Sequence, residues 1–69
     1  MKVISGHLTP TNKKHIKAML DKGITEAKVN TITYVITKDD ASYTVWVYKL
    51  HTNDYGKKII DKSKATFIP

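Results

Sequence analysis

The chain of 69 residues contains no cysteine, and this absence excludes several kinds of structure and chemistry. Without thiols, the protein cannot be held together by disulfides, bind zinc through thiolates or use a cysteine nucleophile. A chain of this length buries only about 60% of the surface that its unfolded form exposes, so its stability is expected to be marginal. We therefore expect one small basic domain, residues 1–69, with no room for a second.

Arginine is also absent: all twelve basic residues are lysine, and they outnumber six acidic residues to give a net charge of +6. This excess favours binding to nucleic acid, an anionic membrane or an acidic protein, although a lysine coat that only solubilises the chain explains it equally well. Specific reading of guanine relies on the arginine fork, so a nucleic-acid role would be mainly non-specific and salt-sensitive. The preference for lysine, with many Ile, Asn, Thr and Tyr, is also typical of low-GC coding and of short phage or mobile-element proteins.

Long hydrophobic runs are missing as well. No apolar run approaches the ~20 residues that a membrane span needs. The segment from Met1 to Leu8 is too short, and too interrupted by Gly6 and His7, to form the apolar region of a signal peptide. We therefore expect a cytoplasmic protein that does not contact membranes.

No arrangement of side chains points to catalysis. The three glycines are isolated, so there is no phosphate-binding loop, and no serine lies in a nucleophile-elbow motif. His51 and Asp54 are three residues apart at a predicted turn, but zinc normally needs three or four ligands and no such set is present, so His7, His15 and His51 are interpreted as surface histidines. We expect no enzyme activity, no cofactor, no bound metal and no small-molecule substrate.

One helix is predicted, from Pro10 to Lys22. Thr9 can cap the free N–H groups at its start, and proline suits the first helical position. Gly23 is expected to end the helix in the left-handed conformation. An apolar stripe runs along it at Ile16, Met19 and Leu20. A helix this short is not stable alone, so its stripe is expected to pack on a sheet.

The stretch from Lys28 to Leu50 predicts a β-hairpin, because two runs rich in β-branched and aromatic residues flank a polar break at Asp39 and Asp40. A three-residue loop would move Trp46 to the opposite face, but it prefers glycine or asparagine at its last position, which is Ala41. A two- or four-residue loop is therefore favoured. The pairs that it predicts are Ile36 with Tyr43, Tyr34 with Val45, and Ile32 with Val47.

The two faces of this hairpin are both partly apolar. The helix is expected to cover Ile32, Tyr34, Ile36, Tyr43, Val45 and Val47. The opposite face is then expected to carry Val29, Thr31, Thr33, Val35, Thr44, Trp46, Tyr48 and Leu50. Cover for that face by the C-terminal segment, for instance Phe67 and Ile68, or by a second copy of the protein is favoured over an exposed platform for nucleic acid.

The ends of the chain predict further short strands. Met1 to Ser5 includes a plausible first strand, and residues 51–56 form a turn that ends at Gly56. Lys57 to Ile60 can return as a strand, Asp61 to Lys64 is interpreted as another turn, and Ala65 to Ile68 as a last short strand or a packed tail. The expected fold is α+β: an antiparallel sheet of three to five strands with one α-helix on one face, in the order β-α-β-β-β.

Two functions are consistent with these patterns. The first is a non-catalytic interaction protein that docks a protein partner or itself, as a homodimer, through the face that carries Trp46 and Tyr48. The second is a non-specific nucleic-acid-binding module that uses the aromatics of the same face and the lysines of residues 13–22 and 57–64. The candidate binding residues for either function are Trp46, Tyr48, Lys13, Lys14, Lys17, Lys49, Lys57 and Lys58.

Overall fold

The structure is a computed structural model that describes all 69 residues. It confirms the α+β fold, with one helix packed against a five-stranded antiparallel sheet. The strands are ordered β1-β5-β4-β3-β2 across the sheet. The elements are β1 (Lys2–Ser5), α1 (Pro10–Lys22), β2 (Glu26–Val29), β3 (Ile32–Asp39), β4 (Ser42–Thr52) and β5 (Lys58–Ile68).

The helix has the predicted bounds because both of its ends are capped. The Thr9 side chain accepts a hydrogen bond from the backbone N–H of Asn12 at 3.1 Å. At the other end, Gly23 is left-handed at φ 69°, and the N–H of Ile24 bonds the carbonyl of Met19 at 2.9 Å. This pattern closes the helix as a Schellman motif. The helix is neither long nor apolar enough to cross a membrane.

The pairing of β3 with β4 corrects the predicted register. Tyr34 lies opposite Val47 and Ile36 opposite Val45, so each predicted pair is wrong by two residues. The turn is at Asp40 and Ala41, one position later than expected, and Asp40 adopts a φ of 49° that an aspartate tolerates. Because side chains alternate, a shift of two residues keeps every residue of these two strands on its predicted face.

The beginning of the predicted hairpin is also different. Asn30, at φ 58°, starts a tight turn that separates β2 from β3, and Val29 lies opposite Ile32. Val29 therefore packs against the core instead of sharing a face with Trp46, and Thr31 lies in the turn. Asparagine tolerates the left-handed conformation, so Asn30 was a readable turn signal inside a run that resembled one strand.

The C-terminal region contains one long strand. β5 runs without interruption from Lys58 to Ile68, so the turn predicted for Asp61 to Lys64 is wrong. This polar segment is held by pairing with β4, where Lys49 lies opposite Asp61 and Trp46 opposite Lys64. A polar strand is tolerated here because the side chains of residues 61–64 are all exposed.

The core lies between the helix and one face of the sheet. It contains nine buried residues, all hydrophobic, which come from the helix, the loop that precedes it and strands β3, β4 and β5. Phe67 is fully buried and stacks on Tyr43, with ring centroids 5.6 Å apart. The expected cover of Trp46 by Phe67 is therefore wrong, because Phe67 points to the helix side. The nine residues are Leu8, Ile16, Met19, Tyr34, Ile36, Val45, Val47, Ala65 and Phe67.

Tyr34 links the sheet to the helix through its hydroxyl group, and we predict the effect of removing that group. Its buried hydroxyl donates a hydrogen bond to Asn12 Oδ1 at 2.9 Å. Tyr34→Phe is expected to lower the free energy of unfolding by about 0.5–1.5 kcal/mol in urea titrations at neutral pH. Tyr55→Phe, at a side chain that is 95% exposed, is the matched control and should change nothing.

The difference in unfolding free energy between the wild type and Tyr34→Phe is expected to depend on pH. Burial raises the pKa of Tyr34 above its ordinary value of 10.0, so the folded state favours the neutral phenol. Its contribution is complete below pH 10 and is lost as the pH rises through the folded-state pKa. The stability gap between the wild type and Tyr34→Phe should therefore narrow above pH 10. A gap that stays constant would contradict the burial of this phenol.

Substitution of Gly6 tests the close contact between the loop that connects β1 to α1 and strand β5. It has a φ of 75°, and a Cβ there would lie 2.9 Å from Cα of Ala65 and closer still to the carbonyl oxygen of Lys64. Gly23 has a similar φ of 69° but nothing within 4 Å of a Cβ. Gly23→Ala should therefore cost only the left-handed strain, roughly 1–2 kcal/mol. Gly6→Ala should cost at least about 1 kcal/mol more, as measured by thermal or urea unfolding.

Candidate functional site

The face of the sheet opposite the helix carries the predicted aromatic pair. The register turns Trp46 and Tyr48 away from the core, since their strand neighbours Val45 and Val47 are buried under the helix. No part of the chain packs as a further layer on this side, because the only helix lies on the other. We call this surface the aromatic face; its central residues are Thr33, Val35, Trp46, Tyr48, Lys62 and Lys64.

The two aromatic rings stand side by side near the middle of this face. Trp46 and Tyr48 have ring centroids 6.4 Å apart and planes that differ by 19°. Trp46 remains 36% exposed, although β4 is the central strand of the sheet. A large ring in that position contacts solvent because nothing covers the face, and it offers a flat, apolar surface to a ligand.

Each aromatic residue has a lysine directly opposite on β5. Lys64 pairs with Trp46, and its Nζ lies 5.5 Å from the centroid of the indole ring. Lys62 pairs with Tyr48. On the other side, β3 presents the uncharged Val35 beside Trp46 and Thr33 beside Tyr48. The positive charge next to the rings is therefore concentrated on one side of them.

The charge balance of the whole aromatic face is also positive. Strand alternation adds three more lysines to it, and only two acidic residues share it, Glu26 on β2 and Asp39 at the end of β3. Neither acidic residue is on β5, the strand whose lysines lie opposite Trp46 and Tyr48. The additional lysines are Lys2, Lys28 and Lys58.

Most of the lysines predicted for the site lie elsewhere. Lys13, Lys14 and Lys17 belong to the helix, which packs on the opposite side of the sheet. Lys49 alternates with Tyr48 and points to the helix side. The predicted site residues that the structure brings onto the aromatic face are Trp46, Tyr48 and, at the far end of β5, Lys58; Lys57 precedes β5 in the connecting turn.

Sequence reasoning did not place the two lysines nearest to the rings on any face. Lys62 and Lys64 were counted among the lysines of residues 57–64 in the nucleic-acid hypothesis, but they were assigned to a turn. The signal was present in the alternation of β5, where Lys58, Lys62 and Lys64 occupy even positions and Ala65 and Phe67 occupy odd ones. Because the odd positions Ala65 and Phe67 are buried in the core, the even lysines emerge on the other face.

The rest of the surface contains one other concentration of polar groups. A cleft of about 300 Å³ lies between the start of the helix and the β4–β5 ribbon, lined by Thr9, Asn12, Lys49 and Asp61 among others. Nearby, His51 Nε2 lies 2.9 Å from Asp61 Oδ2, so its acidic neighbour is Asp61, whereas the sequence had suggested Asp54. No group of three or more His, Asp or Glu side chains is arranged to hold a metal ion.

The exposure of Trp46 predicts a fluorescence result, since it is the only tryptophan. An indole that is 36% exposed should be accessible to a neutral quencher such as acrylamide and should emit at longer wavelength than a buried one. Iodide should quench it as well, because Lys64 attracts the anion, and Lys64→Ala should reduce iodide quenching more than acrylamide quenching. A blue-shifted emission that resists both quenchers would contradict an open aromatic face.

No protein-family model matches this sequence, and comparison with curated proteins and with solved structures found no similar protein. The function is therefore argued from the geometry of the chain alone. That geometry supplies an uncovered sheet face, two neighbouring aromatic rings and a lysine opposite each of them.

Proposed function

We propose that this protein is a nucleic-acid-binding module and that the aromatic face is its binding surface. The observation that carries the proposal is the pairing of each ring with a lysine, Trp46 with Lys64 and Tyr48 with Lys62. Aromatic side chains stack on bases, and lysines neutralise phosphates, so the two kinds of group match the two parts of a nucleotide. The cytoplasm is the compartment proposed for this activity.

The lysine distribution favours this function over self-association. In a two-fold symmetric dimer the same patch of both subunits meets, so two faces with an excess of lysine would be brought together. Like charges that are desolvated in this way destabilise an interface. Docking of a protein partner or a second copy is supported by two exposed isoleucines on the same face, Ile60 at 58% and Ile68 at 40%, and it remains the second candidate.

The proposal predicts salt-dependent binding that is sensitive to particular lysines. Fluorescence anisotropy should detect binding to labelled DNA or RNA at low salt, weakening linearly in log K against log salt. Lys62→Ala/Lys64→Ala should weaken binding and flatten this slope. The matched control is Lys14→Ala/Lys17→Ala, which removes the same charge from exposed positions on the helix and should have a smaller effect.

Two results would contradict the proposal. The first is no binding to single- or double-stranded DNA or RNA even at low salt. The second is an equal loss of affinity in both double variants, which would indicate only a general effect of net charge. Sedimentation at micromolar concentration tests the second candidate, since a dimer that dissociates on Trp46→Ala would assign the aromatic face to self-association.

A further inference from the structure

We infer that the nucleic acid is single-stranded and that it lies along the sheet with its backbone over β5 and its bases over β4. This inference rests on the proposed function and concerns the same surface. It commits to one class of ligand and to one placement of that ligand. Four observations support it: the alternation of the two strands, the one-sided charge, the length of the lysine row and the exposure of the rings.

The alternation creates a repeated unit. Trp46 and Tyr48 are two residues apart on β4, and their partners Lys64 and Lys62 are two residues apart on β5. Same-face residues two positions apart on a strand are separated by about 6.8 Å. The centroid distance of 6.4 Å between the two rings agrees with this spacing. The face therefore presents two successive aromatic–lysine units, each able to take one base and one phosphate.

The net positive charge lies on one side of the rings, since Lys28 on the other side is balanced by Glu26, and this asymmetry orients the ligand. Lys62 and Lys64 flank the rings on β5, whereas Val35 and Thr33 flank them on β3. Phosphates are therefore attracted to the β5 side, and a base above Trp46 can extend over the uncharged side chains of β3. A backbone placed over β3 would leave both lysines without a phosphate.

The positive charge on this face of β5 extends beyond the two aromatic–lysine units. Lys58 occupies the same face of β5 six residues from Lys64, a distance of about 20 Å along the strand. Between them, Leu50 and Ile60 form an apolar pair at the next same-face position after Tyr48 and Lys62. A strand that follows β5 would therefore contact positive charge at both ends and apolar surface in between.

The exposed rings favour unpaired bases. In a duplex the base faces are stacked on one another, so neither Trp46 nor Tyr48 could contact them without opening the helix. The elements that read duplexes enter a groove as a helix or a two-stranded ribbon, whereas these rings stand in the interior of a five-stranded sheet. A single strand leaves base faces free to stack on both rings.

The experiment compares one sequence in three forms: single-stranded DNA, single-stranded RNA and the corresponding DNA duplex. Both single strands should bind at least tenfold more tightly than the duplex. Trp46→Leu removes the aromatic surface but keeps an apolar side chain, and it should weaken single-strand binding by about 5- to 140-fold. Trp46→Phe keeps a ring and should retain most of the affinity. Circular dichroism and thermal unfolding should show that both variants remain folded, since Trp46 lies outside the core.

The salt dependence of binding gives an independent measure of where the nucleic-acid backbone lies on the sheet. For a single strand, each lost phosphate contact lowers the slope of log K against log salt by about 0.7, so Lys62→Ala/Lys64→Ala should lower it by about 1.4. Val35→Lys adds charge on the opposite side and should not restore the slope in that double variant. Restoration by Val35→Lys would overturn the placement of the backbone over β5.

The outcomes separate this inference from the proposed function. Duplex binding that equals or exceeds single-strand binding, unaffected by Trp46→Leu, would overturn the inference while the protein remains a nucleic-acid binder. A lack of binding to all three forms would overturn both. If both single strands bind more tightly than the duplex, the single-strand assignment is supported, and any preference between RNA and DNA identifies the sugar that the face prefers.

Discussion

A single helix of 13 residues can cover only one face of this sheet, and the rest of the structure follows from that constraint. At 1.5 Å per residue the helix is about 20 Å long, which is enough to cover the central strands on one side. The nine buried residues all lie in this one interface. Because the single helix lies on one side, the opposite face has to be compatible with water or be covered by something else.

Because side chains alternate along β4, the covered and uncovered sides of this strand form two different surfaces. Val45 and Val47 point to the helix and are buried, while Trp46 and Tyr48 point away from it. A tryptophan on the uncovered side of a central strand is poorly explained by stability. Its contact with Lys64 is an exposed cation–π interaction, which contributes only about 0.5–1 kcal/mol. Threonine or valine would suit an uncovered strand equally well, so the presence of the ring supports the proposal that this face contacts a ligand.

The sequence predicted the features whose signals are local. The helix bounds followed from Thr9, Pro10 and Gly23, and the faces of β3 and β4 followed from strict alternation. The register did not follow, because choosing Asp39–Asp40 or Asp40–Ala41 as the turn depends on which residue takes a positive φ. Two successive aspartates and an alanine do not distinguish these choices.

The part of the site that could not be predicted depends on pairing between distant segments. Asp61 to Lys64 contains no hydrophobic residue, and its strand conformation comes from β4, which supplies the hydrogen bonds. Local propensity therefore favoured a turn, and tertiary context overrode it. The consequence for the site is direct, because this segment carries Lys62 and Lys64. The aromatic half of the face was predicted, whereas the lysines of the charged half were expected to bind without a predicted face.

The two halves together suggest why lysine suffices where arginine is absent. Arginine is the better residue for bidentate recognition of a particular base edge, and the chain has none. Stacking on Trp46 and Tyr48 accepts any base, because every base has an aromatic face. Lysines that only neutralise phosphates match this tolerance, since they carry no information about sequence either. The composition and the geometry are thus consistent with the proposal of a surface that selects its ligand by strandedness and not by sequence.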